Sequence, residues 1–206
     1  DSLEIRIAGG WVRDKLLGVE SNDLDLAISS LTGTQFAQHF SNFISIHSNQ
    51  KDLSLSKIAI IEARPDQSKH LETATSKFLN LELDFVQLRN ESYHSDSRIP
   101  SDIRFGTPKE DAMRRDITIN ALFYNIHNDQ IEDQTELGLE DLKNGLIRTP
   151  LPALETFQDD PLRLLRCIRF SSRFGFRLDD QIIQAAQSDQ ITMALQEKIS
   201  RERIGI

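Results

Sequence analysis

The pattern of apolar and polar residues predicts strands and helices over the first 150 residues. Residues 3–8 alternate with the period of a half-buried strand, and further strands are predicted at 25–28, 57–63 and 81–88. Apolar residues at helical spacing predict a helix at 34–43, with Phe36, Phe40 and Phe43 in the core. A short helix closed by Gly18 is predicted at 12–17, and residues 112–121 are again typical of a helix. A hairpin is expected where residues 123–126 and 130–132 flank Asn128 and Asp129. Strands and helices are therefore mixed in this part of the chain.

Proline and glycine positions indicate where the organisation changes. Residues 89–110 are polar and contain Pro100, Gly106 and Pro108, which predicts a long loop of the kind that is usually functional or disordered. Pro150 and Pro152 mark a boundary, and only helices are predicted from Pro161 onward. The pattern predicts an α+β fold, with a mixed α/β domain at residues 1–149 followed by the start of an all-α domain at residues 150–206.

Composition narrows the class of protein. Hydrophobic residues make up 38% and charged residues 27%, as in a soluble globular protein, and no apolar run approaches the roughly 18 residues of a membrane span. Cys167 is the single cysteine, which excludes an internal disulfide and favours a reducing, intracellular compartment. The net charge of -8 argues against a generally basic, RNA-coating surface, although it is compatible with a local basic groove.

Asp23 and Asp25 are two residues apart, so on a strand both carboxylates project from the same face. Like charges this close repel one another unless a cation lies between them, and Mg²⁺ binds one or two carboxylates together with substrate phosphates. The alternative is structural: Asp23 ends the turn that begins at Ser21, and Asp25 caps a neighbouring element. The short Asp-x-Asp motif does not by itself decide between the two.

The residues upstream of this pair favour a metal site. Gly9 and Gly10 lie between a predicted strand and a predicted helix, where backbone amides can approach a phosphate closely. Arg13 follows in the first turns of that helix, where its guanidinium can donate to a triphosphate. A triphosphate cradle followed by two metal-binding carboxylates suits nucleotidyl transfer, in which one metal ion activates the attacking hydroxyl and another stabilises the leaving pyrophosphate.

Arg114 and Arg115 fall near the start of the helix predicted at 112–121. The helix dipole disfavours cations at that end, so their position suggests an anionic partner such as phosphate. The alternative is a plain surface helix with basic residues near its start.

A second cluster of arginines lies in the predicted helical region. Arg163, Arg166 and Arg169 recur at every third position, beside an apolar stripe. A capped surface helix is the alternative, with Asp160 as the N-cap and paired with Arg163. Three arginines in line favour contact with a nucleotide.

Together these motifs resemble those of the class II tRNA nucleotidyltransferases, the CCA-adding enzymes, which share a polymerase-β-like head with bacterial poly(A) polymerases. The likeness covers nearly the whole chain, through motifs at residues 9–25, 114–121, 132–150, 159–170 and 199–204. The fourth motif begins Asp159-Asp160 where the family usually has Glu-Asp, and the third motif is looser than in bacterial members. The segment 89–110 is similar to the flexible loop of eukaryotic, fungal-like members.

The resemblance implies a fold and a role for each motif. The fold is a polymerase-β-like nucleotidyltransferase head, a mixed sheet with helices, followed by an all-α neck. Asp23 and Asp25 would hold two Mg²⁺ ions, and Asp84, on the strand predicted at 81–88, would be a third catalytic carboxylate; the alternative for Asp84 is a surface charge. The residues implied in nucleotide binding are Gly9, Gly10 and Arg13 for the triphosphate, Arg115 and Asp116 for the ribose, and Asp160, Arg163, Arg166 and Arg169 in the base-reading helix.

The implied reaction is template-independent transfer of CMP and AMP, from CTP and ATP, to the 3′ end of a tRNA with release of pyrophosphate. A monomer without a membrane partner is expected, in the cytoplasm, nucleus or mitochondrion if the protein is eukaryotic. The chain is expected to be a fragment, because it stops at Ile206 within the fifth motif.

Four alternatives to this reaction stay open. Three are close: an enzyme that adds only CC, one that adds only the final A, and a poly(A) polymerase of the same superfamily. The fourth is an inactive RNA-binding module, which would be expected to have lost a carboxylate. The loop at 89–110 favours A addition, since family members restricted to CC addition tend to lack it.

Overall fold

The computed structural model describes residues 3–47, 58–61, 73–93 and 99–200. The chain groups into two compact units that alternate along the sequence. The first unit comprises residues 1–89, 105–108 and 123–132, and the second comprises 90–104, 109–122 and 133–206. This grouping differs from the division predicted at residues 149 and 150, and that division stays a prediction.

The described strands are short, and the helices range from one turn to four. The strands are β1 (Ile5–Ala8), β2 (Asp23–Ile28), β3 (Ala59–Ile61), β4 (Thr73–Phe78), β5 (Leu81–Gln87), β6 (Arg89–Tyr93), β7 (Pro100–Phe105), β8 (Leu122–Asn125), β9 (Gln130–Asp133), β10 (Leu146–Ile147) and β11 (Arg177–Leu178). The α-helices are α1 (Gly10–Leu16), α2 (Gly33–His47), α3 (Pro108–Met113), α4 (Gly138–Asn144), α5 (Ala153–Asp159), α6 (Leu162–Phe174), α7 (Asp180–Ala186) and α8 (Asp189–Lys198).

The first unit is built on a mixed seven-stranded sheet with the order β3-β4-β5-β2-β1-β8-β9. Strands β2 and β5 are parallel, whereas β1 pairs antiparallel with both β2 and β8, and β4 pairs antiparallel with both β3 and β5. The parallel pair lies inside the sheet, so each of its strands has a hydrogen-bonded neighbour on both sides. The outer neighbour of β2 is β1, and that of β5 is β4.

Helix α2 covers one face of this sheet. The rings of Phe36 and Phe40 lie 5.8 Å and 6.0 Å from that of Phe85, which is fully buried. Gly33 is required at the start of the helix, because an added Cβ would lie 1.9 Å from the carbonyl oxygen of Phe85. Phe43 was expected in the core, and that expectation is wrong: it is 56% exposed and stacks on His47, one turn further along α2.

The second unit combines helices with two small sheets. Phe157, Ile182 and Ile191 are fully buried where α5, α7 and α8 pack together. Strands β6 and β7 pair with each other, and the two-residue strands β10 and β11 form a parallel pair. The presence of β11 corrects the expectation of helices alone after Pro161.

Two further predictions from the sequence are wrong. The segment 89–110 is not one long loop, because β6 and β7 form a two-stranded sheet there and α3 begins at Pro108; residues 94–98 lie outside the described part. The helix predicted at 112–121 is also absent, since α3 ends at Met113 and a single 3-10 turn follows at Thr118–Asn120. The run of β-branched residues from Ile117 to Ile119 disfavours a continuous helix, and Ile117 is extended (φ -141°, ψ 150°).

Strand β4 was not predicted, and residues 57, 62 and 63 of the predicted third strand lie outside the described part.

Candidate active site

Four carboxylates share one face of the sheet in the first unit. Asp23 and Asp25 lie on β2, and the parallel register pairs them with Glu82 and Asp84 on β5. Side chains of register partners point to the same face, so all four acidic groups project together. The intervening residues point to the opposite face and are buried, among them Leu24, Leu83 and Phe85.

The electrostatics of this face favour a bound cation. Burial raises the pKa of Asp23 above its ordinary value, and the nearby charges of Asp84 and Glu82 raise it further. Part of the negative charge is offset within the sheet, because Lys77 on β4 forms an ion pair with Glu82 at 2.6 Å. A divalent cation beside Asp23 would lower the remaining repulsion.

The donor set fits Mg²⁺ bound together with a substrate. No group of three or more His, Cys, Asp or Glu residues is arranged to hold a metal ion within the described ranges. Mg²⁺ prefers oxygen ligands and is usually held by one or two carboxylates plus the phosphates of a nucleotide, so it does not require such a group. The carboxylates of Asp23 and Asp25 can fill that role.

A glycine turn adjoins the carboxylates. Ala8, at the end of β1, is the register partner of Asp25, and Gly9 follows it directly. Gly9 has φ 68° and ψ -122°, a conformation that residues with a Cβ rarely adopt, so this glycine lets the strand turn at once into α1. Helix α1 begins at Gly10. A role for both glycines in phosphate binding stays a prediction.

Arg13, the residue predicted to donate to a triphosphate, is buried in α1. Its side chain is almost fully buried, and its Nε and Nη2 atoms lie 2.8 Å and 2.7 Å from Oδ1 of Asp14. The guanidinium is thus oriented by the neighbouring carboxylate within α1. Its contact with a triphosphate stays a prediction.

Arg114 and Arg115 lie beyond the C-terminal end of α3, which corrects the argument made from the sequence. The helix dipole favours cations at that end, so it gives no reason to expect phosphate there. Both guanidiniums donate to Asp111: Arg114 to Oδ1, and Arg115 to Oδ2 from Nε at 3.0 Å and Nη2 at 2.8 Å. Asp111 is 1% exposed and the side chains of Arg114 and Arg115 are 18% and 17% exposed, so these residues form a largely buried ionic cluster.

Asp116 connects this segment with the arginine-rich helix of the same unit. Its Oδ1 accepts from the backbone N–H of Ile117 at 2.9 Å and from the side-chain amide of Asn120 at 3.2 Å. Its Oδ2 accepts from Nε of Arg166 on α6 at 2.7 Å. Two predicted nucleotide-binding residues are therefore brought into direct contact, and their contact with ribose or base stays a prediction.

Asp160 and Arg163 lie at the start of α6, and within the part of the chain that the structure describes they do not form the ion pair of the alternative interpretation, the capped surface helix. Oδ1 of Asp160 accepts from the backbone N–H of Leu162 at 3.1 Å. Arg163 is 8% exposed and donates from Nη2 to the hydroxyl of Tyr93 at 3.0 Å, with its guanidinium 5.6 Å from the tyrosine ring centroid. Arg169 is exposed, and its guanidinium lies 5.3 Å from the ring of Phe170.

The structure adds three residues that the sequence argument did not single out. Tyr93 holds Arg163, Asp111 holds two arginines, and Thr75 donates to Asp84 at 2.7 Å. The sequence contained a signal for Asp111, because arginines follow it at the third and fourth positions, where side chains on a helix can pair. Thr75 gave no signal because β4 was not predicted, and Tyr93 lay in a segment predicted to be a loop.

A mixed sheet that presents carboxylates on adjacent strands beside a glycine turn defines a polymerase-β-like nucleotidyltransferase head. Comparison with protein families agrees: residues 5–148 match the poly(A) polymerase head domain. The chain belongs to this family.

Individual proteins similar to this chain are named as tRNA nucleotidyltransferases. The mitochondrial CCA tRNA nucleotidyltransferase of Saccharomyces cerevisiae is 53% identical over 100% of this chain and 38% of its own length. An A-adding tRNA nucleotidyltransferase of Halalkalibacterium halodurans is 35% identical over 98% of this chain and 43% of its own length. The chain therefore spans less than half the length of these relatives.

Solved structures show the same fold. A tRNA nucleotidyltransferase complexed with a primer tRNA and an incoming ATP analog superposes with a TM-score of 0.72 and 27% identity, over 98% of this chain and 51% of that one. Within the described residues, no helix has the length and apolar character needed to span a membrane.

Proposed function

We propose that the protein adds CCA to the 3′ end of tRNA by transferring CMP and then AMP from CTP and ATP. The observation that carries the proposal is the register of β2 and β5, which sets Asp25 beside Asp84 and Asp23 one step along the same face. The similarity to a CCA-adding enzyme at 53% identity supports the choice of tRNA as the acceptor.

In the proposed reaction the 3′ hydroxyl oxygen of the tRNA attacks the α-phosphorus of the nucleotide in line. A new O–P bond forms as the hydroxyl releases its proton to water, the bond from the α-phosphorus to the bridging oxygen breaks, and pyrophosphate leaves with its negative charge. Asp23 and Asp25 would hold Mg²⁺, which supplies charge stabilisation for the attacking and leaving oxygens. Gly9 and Gly10 would present backbone amides to the triphosphate, and Arg13 would donate to it.

The base would be chosen by Asp160 and Arg163. Cytosine presents an amino group beside an unprotonated ring nitrogen, and adenine does the same. A carboxylate that accepts from the amino group and a guanidinium that donates to the ring nitrogen therefore suit both bases. Uracil and guanine place a carbonyl beside a ring N–H. The carbonyl would then face the carboxylate, acceptor against acceptor, and the ring N–H would face the guanidinium, donor against donor. Each unsatisfied buried group costs roughly 1–3 kcal/mol, so the combined rejection is expected to exceed about 100-fold.

The rest of the nucleotide would be positioned by four other residues: Arg115, Asp116, Arg166 and Arg169. The ion pair of Asp116 with Arg166 fixes one carboxylate oxygen, and Arg115 is held by Asp111, so both motifs are preorganised within their unit. Preorganised groups stabilise a transition state without a further cost of ordering them.

The test is incubation of the purified protein and Mg²⁺ with tRNA that lacks its last three nucleotides, with each labelled triphosphate alone and with CTP and ATP together. Products are resolved at single-nucleotide resolution. CTP alone should extend the tRNA by two nucleotides, CTP with ATP by three, and UTP or GTP should give no extension. Extension that stops at CC, a single A added only to tRNA ending in CC, or a long A tract would instead identify the CC-adding, A-adding or poly(A) activity. If no nucleotide is incorporated, the proposed activity is wrong and the inactive RNA-binding module is the alternative that remains.

The same assay tests the carboxylates. Asp25→Ala should lower the transfer rate at least about 100-fold, equal to roughly 2.7 kcal/mol of barrier, while the thermal unfolding midpoint stays nearly unchanged, because an exposed carboxylate is lost and the core is not. Glu82→Gln is the matched control, since Glu82 is on the same face but is paired with Lys77, and it should keep most of the activity. Retention of more than about a tenth of the wild-type rate by Asp25→Ala would refute the assignment.

A further inference from the structure

Thr75 is fixed beside the acidic residue Asp84 by the sheet itself. It lies on β4, and the antiparallel register pairs it with Asp84 on β5. The side chains of register partners share a face, and the neighbours of Thr75 in β4, Ala74 and Ser76, point the other way and are buried. The hydroxyl of Thr75 donates to Oδ1 of Asp84 at 2.7 Å.

This hydrogen bond constrains the carboxylate. A donor on one oxygen sets the orientation of the carboxylate plane, and the second oxygen, Oδ2, keeps its own lone pairs for another partner. Asp84 is the register partner of Asp25, so the constrained carboxylate stands directly beside the proposed metal ligands.

Strand β4 acts differently on the two acidic residues of β5. Lys77 offsets the charge of Glu82 with an ion pair at 2.6 Å. Thr75 provides a neutral donor to Asp84, which leaves the full negative charge of that carboxylate in place. Of the two carboxylates on β5, β4 therefore leaves Asp84 better suited to attract a cation.

We propose that Thr75 is a positioning residue, whose hydroxyl fixes Asp84 so that the negative charge of this carboxylate attracts the divalent cation that Asp23 and Asp25 would hold. This inference rests on the proposed function of the face. Removal of a group in the outer shell of a metal site typically changes metal affinity or activity by about 10–100-fold.

The test compares Thr75→Val, which has the shape of threonine without its hydroxyl, with Thr75→Ser, which keeps the hydroxyl. Mn²⁺ replaces Mg²⁺ as a spectroscopic probe, and its binding is measured from the EPR signal of free Mn²⁺ in the presence of a CTP analogue with a non-cleavable α,β bond. This readout does not require catalysis. Thr75→Val should raise the dissociation constant of Mn²⁺ about 10-fold and lower the transfer rate by a similar factor, and Thr75→Ser should stay within about threefold of the wild type in both.

Two further variants distinguish loss of the hydroxyl from a general disturbance of the fold. If Thr75→Val does not fold, as judged by circular dichroism, Thr75→Ala is compared with Thr75→Ser in its place. In an Asp84→Asn background, loss of the hydroxyl should have no additional effect on Mn²⁺ binding, since the group that it orients has been altered.

The outcomes separate this inference from the proposed function. If the wild type binds Mn²⁺ and transfers nucleotides but Thr75→Val behaves like Thr75→Ser, the positioning role is overturned and the function stands. Equal weakening in both variants would also overturn it, because the hydroxyl would not be the cause. A wild type that neither binds Mn²⁺ with the analogue nor transfers nucleotides would overturn both.

Discussion

The buried cluster around Asp111 gives a quantitative test of how the second unit is stabilised. Substitution of Asp111 by Asn keeps the shape of the side chain and removes its charge. Arg114 and Arg115 would then lose the carboxylate to which both donate, and an amide would replace one of its oxygens. The change leaves two cations in a site that is screened from solvent.

The expected cost follows from the partners that remain. Removal of one member of a buried ion pair typically destabilises a protein by about 3–5 kcal/mol. Arg114 keeps Glu91 at 3.2 Å and Arg115 keeps the carbonyl oxygen of Asn120 at 3.1 Å, so neither guanidinium is left without an acceptor. We therefore expect the lower end of the range, about 3 kcal/mol, which is a large part of a total stability of roughly 5–15 kcal/mol.

The pH dependence provides a second measurement. Burial raises the pKa of Asp111, but the charges of Arg115 and Arg114 outweigh it, and the folded-state pKa lies below its ordinary value. A carboxyl whose pKa is lowered by folding contributes stability above its unfolded pKa of about 3.9 and loses it as the pH falls through the folded pKa. The difference between wild type and Asp111→Asn should be constant at neutral pH and shrink below about pH 4.

Urea unfolding followed by circular dichroism measures both effects. Glu82→Gln serves as the control, because it breaks the same kind of ion pair at an exposed position and should change the unfolding midpoint little. An Asp111→Asn variant as stable as Glu82→Gln, or a difference that grows as the pH falls, would show that the cluster does not stabilise the fold in this way.

Two further predictions concern the base and the packing of α2. The double variant Asp160→Arg with Arg163→Asp should shift incorporation from CTP and ATP toward UTP or GTP; a folded variant that still prefers CTP and ATP would show that the base is read elsewhere. Gly33→Ala should destabilise the protein by about 1–3 kcal/mol, because its Cβ would lie 1.9 Å from the carbonyl oxygen of Phe85 and one of the two backbones must move. An unchanged thermal midpoint for this variant would contradict the close approach.

The sequence predicted the motifs of the first unit well because their chemistry is local. Asp23 and Asp25 reveal their shared face by a spacing of two, and Gly9 with Gly10 marks the turn that follows β1. The pairing of Asp25 with Asp84 is not local, since it depends on two strands separated by more than fifty residues. It became predictable only through the family resemblance.

Other features depended on tertiary contacts that periodicity does not report. A helix was expected at 112–121, whereas the side chain of Asp116 accepts from the backbone N–H of Ile117 and a 3-10 turn follows at Thr118–Asn120. Strand β6 has one aromatic residue, Tyr93, among polar ones, and β7 has only Ile103 and Phe105 as large apolar residues, so neither shows the longer alternation that identifies a half-buried strand. The contact of Arg163 with Tyr93, seventy residues away, could not be predicted from sequence spacing, which offered only Asp160 as a nearby partner.

The parallel register of β2 and β5 also bears on how such a chain can change during evolution. Insertions or deletions in the connections that join these two strands to the elements between them, α2, β3 and β4, leave the ladder intact, so the lengths of those connections are free to vary. A single residue inserted within β5 ahead of Asp84 would instead reverse the alternation beyond it, turning that carboxylate into the apolar layer and Phe85 onto the acidic face. The site therefore tolerates changes of length in its connections but not in its strands.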